Sequence, residues 1–194
     1  MYKRDQYEIQ RVCESDPKCT REAMSFVSRS IRNHFSRLSK ITDEERSLGI
    51  QAPSLKQKIK RDAFEYIHAN YKQLHKDIFD PDLSLAEKIL SVSSIPGIGI
   101  VKAGFVLQLC IGKVGWLDTH NLRMFGFSDS AFKFSKTTTR NTALAKARLY
   151  IETCEKLGGS EFLWDNWCEF IAAKYPKHFT SADQVSQMHV DLIV

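Results

Sequence analysis

Apolar residues recur at three- and four-residue steps along most of this chain, which is the pattern of amphipathic α-helices. The clearest stripes predict helices over 21–39, from Ser54 to about Lys76, over 141–157 and over 160–174. We expect the helix over 160–174 to be the last one of the chain. No alternation of apolar and polar residues typical of a strand stands out from the background. The pattern therefore predicts an all-α protein.

Turn and capping residues divide the middle of the chain into shorter elements. Asp80-Pro81-Asp82 ends the second predicted helix, and Ser84-Leu-Ala-Glu87 predicts a capping box for a short helix that ends near Ser93. A further helix is expected from about Ile100 to Cys110. Residues 128–141 are rich in Ser, Thr and Lys, and we expect a loop there.

Length and composition indicate an ordinary globular protein. The chain has 194 residues, of which 43% are hydrophobic and 26% charged, so we expect a single domain over 1–194 that consists of one body or of two closely packed helical lobes. No apolar run is long enough for a membrane span or a signal peptide, which favours a soluble, cytoplasmic protein without a membrane partner. The net charge of +5 is compatible with a polyanionic partner.

The five cysteines are scattered and form no C-x-x-C pair. Cys110, Cys154 and Cys168 lie on apolar helix faces and are expected in the core as reduced thiols. Cys13 and Cys19 are close enough in sequence to meet, but two cysteines alone make a weak metal site. We therefore expect neither zinc nor an iron–sulfur cluster.

The segment from Ile95 to Ala103 fits a helix-hairpin-helix motif, which would extend over residues 84–111. Gly97 and Gly99 allow positive φ, and without a Cβ they leave room for a phosphate oxygen against the backbone. Ile98 is expected to anchor the hairpin in the helices beneath it. The following helix would point its free N–H groups and the positive end of its dipole at the same phosphate. A structural corner that happens to contain glycines is the alternative.

Asp118 follows this motif within Leu117-Asp-Thr-His120, at the expected start of another helix. An Asp at an N-cap accepts backbone hydrogen bonds and contributes about 1 kcal/mol to helix stability without any chemistry. The same carboxylate behind a phosphate-binding hairpin would also be placed to act on a nucleotide. The sequence leaves both roles open, and one residue is able to fill both.

The hairpin sequence Ile95-Pro-Gly-Ile-Gly, the helix after it and Leu117-Asp-Thr-His-Asn-Leu-Arg123 resemble the signature of the helix-hairpin-helix (HhH-GPD) DNA glycosylase superfamily, which includes endonuclease III. The resemblance implies an HhH-GPD fold, duplex DNA as the partner and Asp118 as the catalytic residue. The carboxylate would stabilise positive charge on a sugar as the base leaves, or activate a nucleophile. The target nucleotide would be flipped out of the stack.

The chain departs from this signature in two respects. Members with lyase activity carry a Schiff-base lysine at the position of Val101. Lys102 lies about 100° further around the helix, where we expect it to face phosphate or solvent, so lysine-based AP-lyase activity is not expected. The cysteine loop that binds an iron–sulfur cluster in some members is also absent. No cofactor is predicted, and a monovalent cation at the hairpin is left open.

The candidate DNA contacts lie on the hairpin, on the helices that follow it and in the Ser/Thr-rich loop. They are Gly97, Ile98, Gly99, Val101, Lys102, His120, Arg123, Lys133, Lys136 and Arg140. His120 has a solvent-facing or core role as its alternative. A second basic cluster, Lys56, Lys58, Lys60 and Arg61, is interpreted as a solvated helix face.

Three functions remain open at this point. The first is a base-flipping DNA N-glycosylase. The second is a transferase. It would resemble the phage enzymes proposed to hypermodify thymine, the α-glutamyl or putrescinyl thymine pyrophosphorylases. Such an enzyme would replace an activated phosphate or pyrophosphate on the 5-methyl group of the base by a small amine or amino acid. The third is a non-catalytic DNA-binding or virion-associated module. A bacterial cell or a phage-infected host is the expected location, and the oligomeric state is left open.

Overall fold

The computed structural model describes residues 2–29, 51, 55–128, 130–135 and 137–194, and for residues 2–4, 119 and 120 the backbone only. Within these ranges the protein is all-helical and contains no strand, which confirms the all-α prediction. The helices are α1 (Tyr2–Ser15), α2 (Pro17–Arg29), α3 (Lys58–Phe79), α4 (Leu85–Val92), α5 (Ile100–Ile111), α6 (Thr119–Met124), α7 (Arg140–Lys156), α8 (Gly159–Lys174) and α9 (Ala182–Ile193).

Helix α5 forms the centre of the fold. Every residue from Ala103 to Cys110 is buried, as expected for a helix that is apolar around most of its circumference. It contacts α1, α2, α3, α4 and α7. The hairpin therefore leads from the short helix α4 directly into the most buried helix of the protein, and the start of α5 is held from several sides.

Local capping sets the ends of the elements around the hairpin. The Ser84 hydroxyl accepts the Glu87 N–H at 3.3 Å, and the Glu87 carboxylate accepts the Ser84 N–H at 3.1 Å, so the predicted capping box is confirmed. Helix α3 ends at Phe79, directly before Asp80-Pro81. Helix α5 ends at Gly112, which adopts the left-handed conformation with φ of 64°.

The expectation that 160–174 is the final helix is wrong. Helix α9 follows it and packs against α1, α2 and α8, and helix α1 precedes the first predicted helix. Both helices carry many polar residues, so their apolar stripes are narrow. Residues 30–39 of the first predicted helix and the proposed start at Ser54 lie outside the described residues.

The cysteines are buried and free, in agreement with the expected reduced thiols of the core. Cys13 and Cys19 do meet, since their Sγ atoms lie 2.8 Å apart where α1 ends and α2 begins. Burial raises the pKa of the Cys154 thiol to about 12. The Cys154 thiol is therefore a poor nucleophile at neutral pH, because the thiolate is the reactive form.

Candidate functional site: the hairpin and the Asp118 loop

The hairpin between α4 and α5 is anchored by isoleucines. Ile95 and Ile98 are 1% and 4% exposed, and the Ile98 N–H donates to the Ile95 carbonyl at 3.0 Å to close the turn. Gly97 lies between them with φ of 78°, a conformation that residues with a side chain rarely adopt. Gly97 thus uses the positive φ that glycine allows, and Ile98 is buried beneath the hairpin as expected.

Gly99 does not use the conformational freedom of a glycine. Its φ of −102° and ψ of −175° are extended and open to any residue. A Cβ added to Gly99 would meet nothing within 4 Å. Neither backbone strain nor internal packing explains this glycine, and the space beside it is open.

The start of α5 places the first backbone N–H groups of the helix next to Gly99. The Gly99 carbonyl accepts the Ala103 N–H at 2.9 Å, which opens the helix, and Gly99 has no side chain to cap the first turn. The first N–H groups of an α-helix have no partner within the helix and lie at the positive end of its dipole. This end of α5 therefore offers donors to an anion in the open space beside Gly99.

The loop from Gly112 to Asp118 connects α5 to α6 and carries a strained residue. Val114 has φ of 67° and is fully buried. A β-branched residue in this region is a genuine outlier that costs about 1–3 kcal/mol and persists only where its surroundings fix it. Trp116 adds one such constraint, because its ring stacks on Phe105 with centroids 4.0 Å apart and an interplanar angle of 12°.

Hydrogen bonds from α6 and α7 fix the backbone of the same loop. The Tyr150 hydroxyl donates to the Gly115 carbonyl at 2.7 Å and accepts the Leu117 N–H at 3.1 Å. The Asn121 side chain donates to the Trp116 carbonyl at 3.1 Å. The loop has no regular secondary structure, and these hydrogen bonds fix its backbone up to Asp118.

Asp118 is the N-cap of α6, as the sequence predicts. Its Oδ1 atom accepts the Asn121 N–H at 2.8 Å, and its backbone carbonyl accepts the Leu122 N–H at 2.8 Å. The residue is half-buried. Capping uses the Oδ1 atom, and the charge of the same carboxylate also acts on the Lys102 ammonium.

Lys102 lies near Asp118 and not simply in solvent. Its side chain is half-buried, and burial together with the neighbouring Lys60 ammonium lowers its pKa to about 8, against an opposing effect of the Asp118 carboxylate. Lys60 itself is only 1% exposed, and burial lowers its pKa as well. The interpretation of Lys60 as part of a solvated face is therefore wrong. Lysines are rarely buried to this degree without a partner.

The remaining predicted site residues are spread more widely. Val101 is half-buried beside Lys102, and Arg123 is exposed on α6. Lys133 is exposed in the predicted loop. Arg140 lies 3.9 Å from the Glu87 carboxylate near the first turn of α4, about 10 Å along that helix from the hairpin. The His120 side chain and Lys136 lie outside the described residues.

Sequence reasoning missed Lys60, Val114 and Tyr150 as parts of this region. Lys60 occurs in a basic run, Val114 follows a lysine in an ordinary-looking turn, and Tyr150 is on the apolar stripe of α7. Nothing in the local sequence marks them, because each owes its role to contacts with distant segments.

Among the described residues no helix is both long and apolar enough to cross a membrane, and no group of three or more His, Cys, Asp or Glu side chains is placed to bind a metal. No protein-family model, curated protein or solved structure matches this chain.

Proposed function

We propose that this protein binds the backbone of duplex DNA through the hairpin and acts on a single flipped-out nucleotide with Asp118, as a DNA N-glycosylase does. The observation that carries the proposal is the open space beside Gly99, at the N-terminal end of α5. A glycine that the fold does not require, at the positive end of a helix, is suited to close approach of a phosphate oxygen. Asp118 and Lys102 lie in the same region.

The chemistry assigned to Asp118 is the support of base loss at C1′ of the deoxyribose. As the bond from C1′ to the base breaks, its electron pair leaves with the base and positive charge develops on the sugar. A nearby carboxylate stabilises that charge and accepts the proton of the attacking water as its oxygen bonds to C1′. The half-buried position of Asp118 strengthens this effect, since partial exclusion of water increases electrostatic interactions.

The position of Lys102 favours a second version of the same reaction, in which an amine replaces water as the nucleophile. The pKa of Lys102 is lowered to about 8, so about a tenth of its ammonium is neutral and nucleophilic at pH 7. The expectation of no lysine-based lyase activity depended on Val101 at the usual lysine position and on Lys102 facing phosphate or solvent. Borohydride trapping tests the revision: a covalent DNA adduct that disappears in Lys102→Met supports it, and equal adduct in the variant contradicts it.

The DNA-binding half of the proposal is tested by Gly99→Ala. Alanine adopts the Gly99 conformation without strain, so the free energy of unfolding should stay the same or rise by about 0.4–1 kcal/mol. A methyl group in the phosphate space should nevertheless weaken DNA binding about tenfold, equivalent to about 1.4 kcal/mol. Fluorescence anisotropy with a labelled duplex at fixed salt measures the affinity. Unchanged affinity would contradict phosphate binding at the hairpin.

The catalytic half is tested by Asp118→Asn. Asn caps a helix about as well as Asp, so stability and DNA binding should persist while the negative charge is lost. Mass spectrometry of nucleosides, after incubation with damaged and modified DNA with and without an amine donor, reads the outcome. Base loss that requires Asp118 supports the glycosylase, and a new base adduct supports the transferase. DNA binding without either product supports a binding module.

A further inference from the structure

The loop that carries Asp118 is fixed by a hydroxyl group from a different part of the chain. Tyr150, on α7, is fully buried and reaches the loop through the space that Gly104 leaves open. A Cβ at Gly104 would lie 2.6 Å from the Cε1 atom of Tyr150 and 3.0 Å from the Gly115 carbonyl oxygen. Helix α5, the loop and the tyrosine ring therefore meet without spare volume.

The hydroxyl group satisfies two backbone groups at once. It donates to the Gly115 carbonyl at 2.7 Å and accepts the Leu117 N–H at 3.1 Å, a combination that a hydroxyl allows because it carries a donor and two acceptor sites. Burial raises the pKa of Tyr150 well above its ordinary value, so the phenol keeps the proton that it donates. Asp118 is the residue directly after Leu117, and its charge is among those that act on the Tyr150 hydroxyl.

The strained residue of the loop lies directly before these contacts. Val114, with φ of 67°, would relax to a more favourable backbone conformation if the loop were free to move. Gly115 is held at its carbonyl by Tyr150, with a weaker contact from the Cys154 thiol at 3.8 Å. The Tyr150 hydroxyl thus opposes relaxation of the loop at the residue next to Val114.

We propose that Tyr150 is a positioning residue for Asp118: its hydroxyl fixes the backbone from Gly115 to Leu117 and thereby the direction of the Asp118 carboxylate, without touching the DNA. This inference rests on the proposed function for the role of Asp118. The contacts between Tyr150 and the loop are independent of that function. A small displacement of a catalytic group is enough to slow a reaction about 100-fold.

The test is Tyr150→Phe in the full chain, with Cys154→Ala as the matched control. Both changes remove a group that contacts the Gly115 carbonyl, but only the first frees the Leu117 N–H. We expect Tyr150→Phe to lower kcat about 10- to 100-fold with KM and DNA affinity within about twofold of wild type. Cys154→Ala should keep kcat within about threefold, because thiols are weak donors. The rates are corrected for the folded fraction measured by circular dichroism.

Amide hydrogen exchange of the DNA-free protein separates this inference from the proposed function. In Tyr150→Phe the Leu117 amide should exchange at least about fivefold faster, since it loses its acceptor, while amides in the centre of α5 keep their rates. If the wild type is inactive on every DNA and Leu117 still responds, the proposed function fails and the positioning of the loop stands. Unchanged exchange at Leu117 overturns the positioning role. A kcat loss equal to that of Cys154→Ala, or explained by the folded fraction, overturns it as well.

Discussion

Lys102→Met should stabilise this protein at neutral pH, although it removes a residue of the candidate site. The Lys102 ammonium is partly withdrawn from water and lies near the buried ammonium of Lys60, and these effects exceed the attraction of Asp118. Methionine has a similar length and no charge, so it fills the same space without the desolvation cost. The gain in stability would accompany a loss of any reaction that uses the amine.

The magnitude follows from the shift in the pKa of Lys102. The pKa falls from 10.5 in the unfolded chain to about 8 in the folded protein, and each unit corresponds to about 1.36 kcal/mol. The charged lysine therefore costs at most about 3.4 kcal/mol at pH 7. Because the side chain is half-buried and solvent screens part of the interaction, we expect a gain of about 1–3 kcal/mol for Lys102→Met.

The stability advantage of Lys102→Met should depend on pH in a defined direction. Above pH 10.5 the wild-type lysine is neutral in both the folded and the unfolded chain, so it carries no penalty there. Between pH 10.5 and about 8 the Lys102 amine is mostly protonated in the unfolded chain and mostly neutral in the folded protein. The cost of the charged lysine to the free energy of unfolding therefore grows as the pH falls and is complete below about 8. The advantage of Lys102→Met should therefore be large at pH 7 and nearly absent above pH 10.5.

Urea unfolding at pH 7 and at alkaline pH measures this difference. Lys72→Met is the matched control, because Lys72 is exposed on α3 and its replacement should change stability by less than about 0.5 kcal/mol at either pH. A destabilised Lys102→Met protein at pH 7 would refute the argument. A gain that persists unchanged at alkaline pH would also refute it, since the cause would then be packing and not charge.

Two further predictions concern the core around the site. Burial lowers the pKa of His189 from 6.5 to about 4. The free energy of unfolding is therefore fully present above pH 6.5 and falls by up to about 3 kcal/mol as the pH drops through 4. His189→Leu should remove this fall from the pH profile measured by urea unfolding, and parallel profiles of variant and wild type would contradict the role of His189. Gly104→Ala should cost about 1–3 kcal/mol in thermal unfolding, because Tyr150 is hydrogen-bonded to the Gly115 carbonyl and cannot retreat from the new methyl group. Equal stability of Gly104→Ala and Gly99→Ala would show that this contact is not tight.

Much of the fold around the hairpin could be predicted from the sequence because its determinants are local. The Ser84 capping box and the stop at Asp80-Pro81 each act within a few residues, and each occurs where the pattern indicates. Helices α1 and α9 were not predicted, since their apolar stripes are narrow and their stability comes from packing on each other. Tertiary contacts decide such helices, and they leave a weak trace in the sequence.

The candidate site was predictable only in its backbone features. Asp118 at a helix start and Gly97 in the turn follow from residue type and spacing. The burial of Lys60, the approach of Lys102 to Asp118 and the hydrogen bonds of Tyr150 depend on segments that are distant in sequence. Gly99 shows the limit most clearly, because the sequence indicates a glycine but cannot distinguish a strained turn from an open surface.

The unfavourable features of this protein occur together, and this argues that they serve a function. Lys60 and Lys102 are desolvated like charges, and Val114 adopts a strained backbone in the loop before Asp118. Each of them carries a cost that a methionine, a glycine or a solvated lysine at the same position would avoid. Natural sequences retain such features mainly at functional sites. If Lys102→Met is more stable than wild type while Asp118→Asn is as stable but inactive, the cluster exists for chemistry; if neither change affects activity, the site lies elsewhere in the protein.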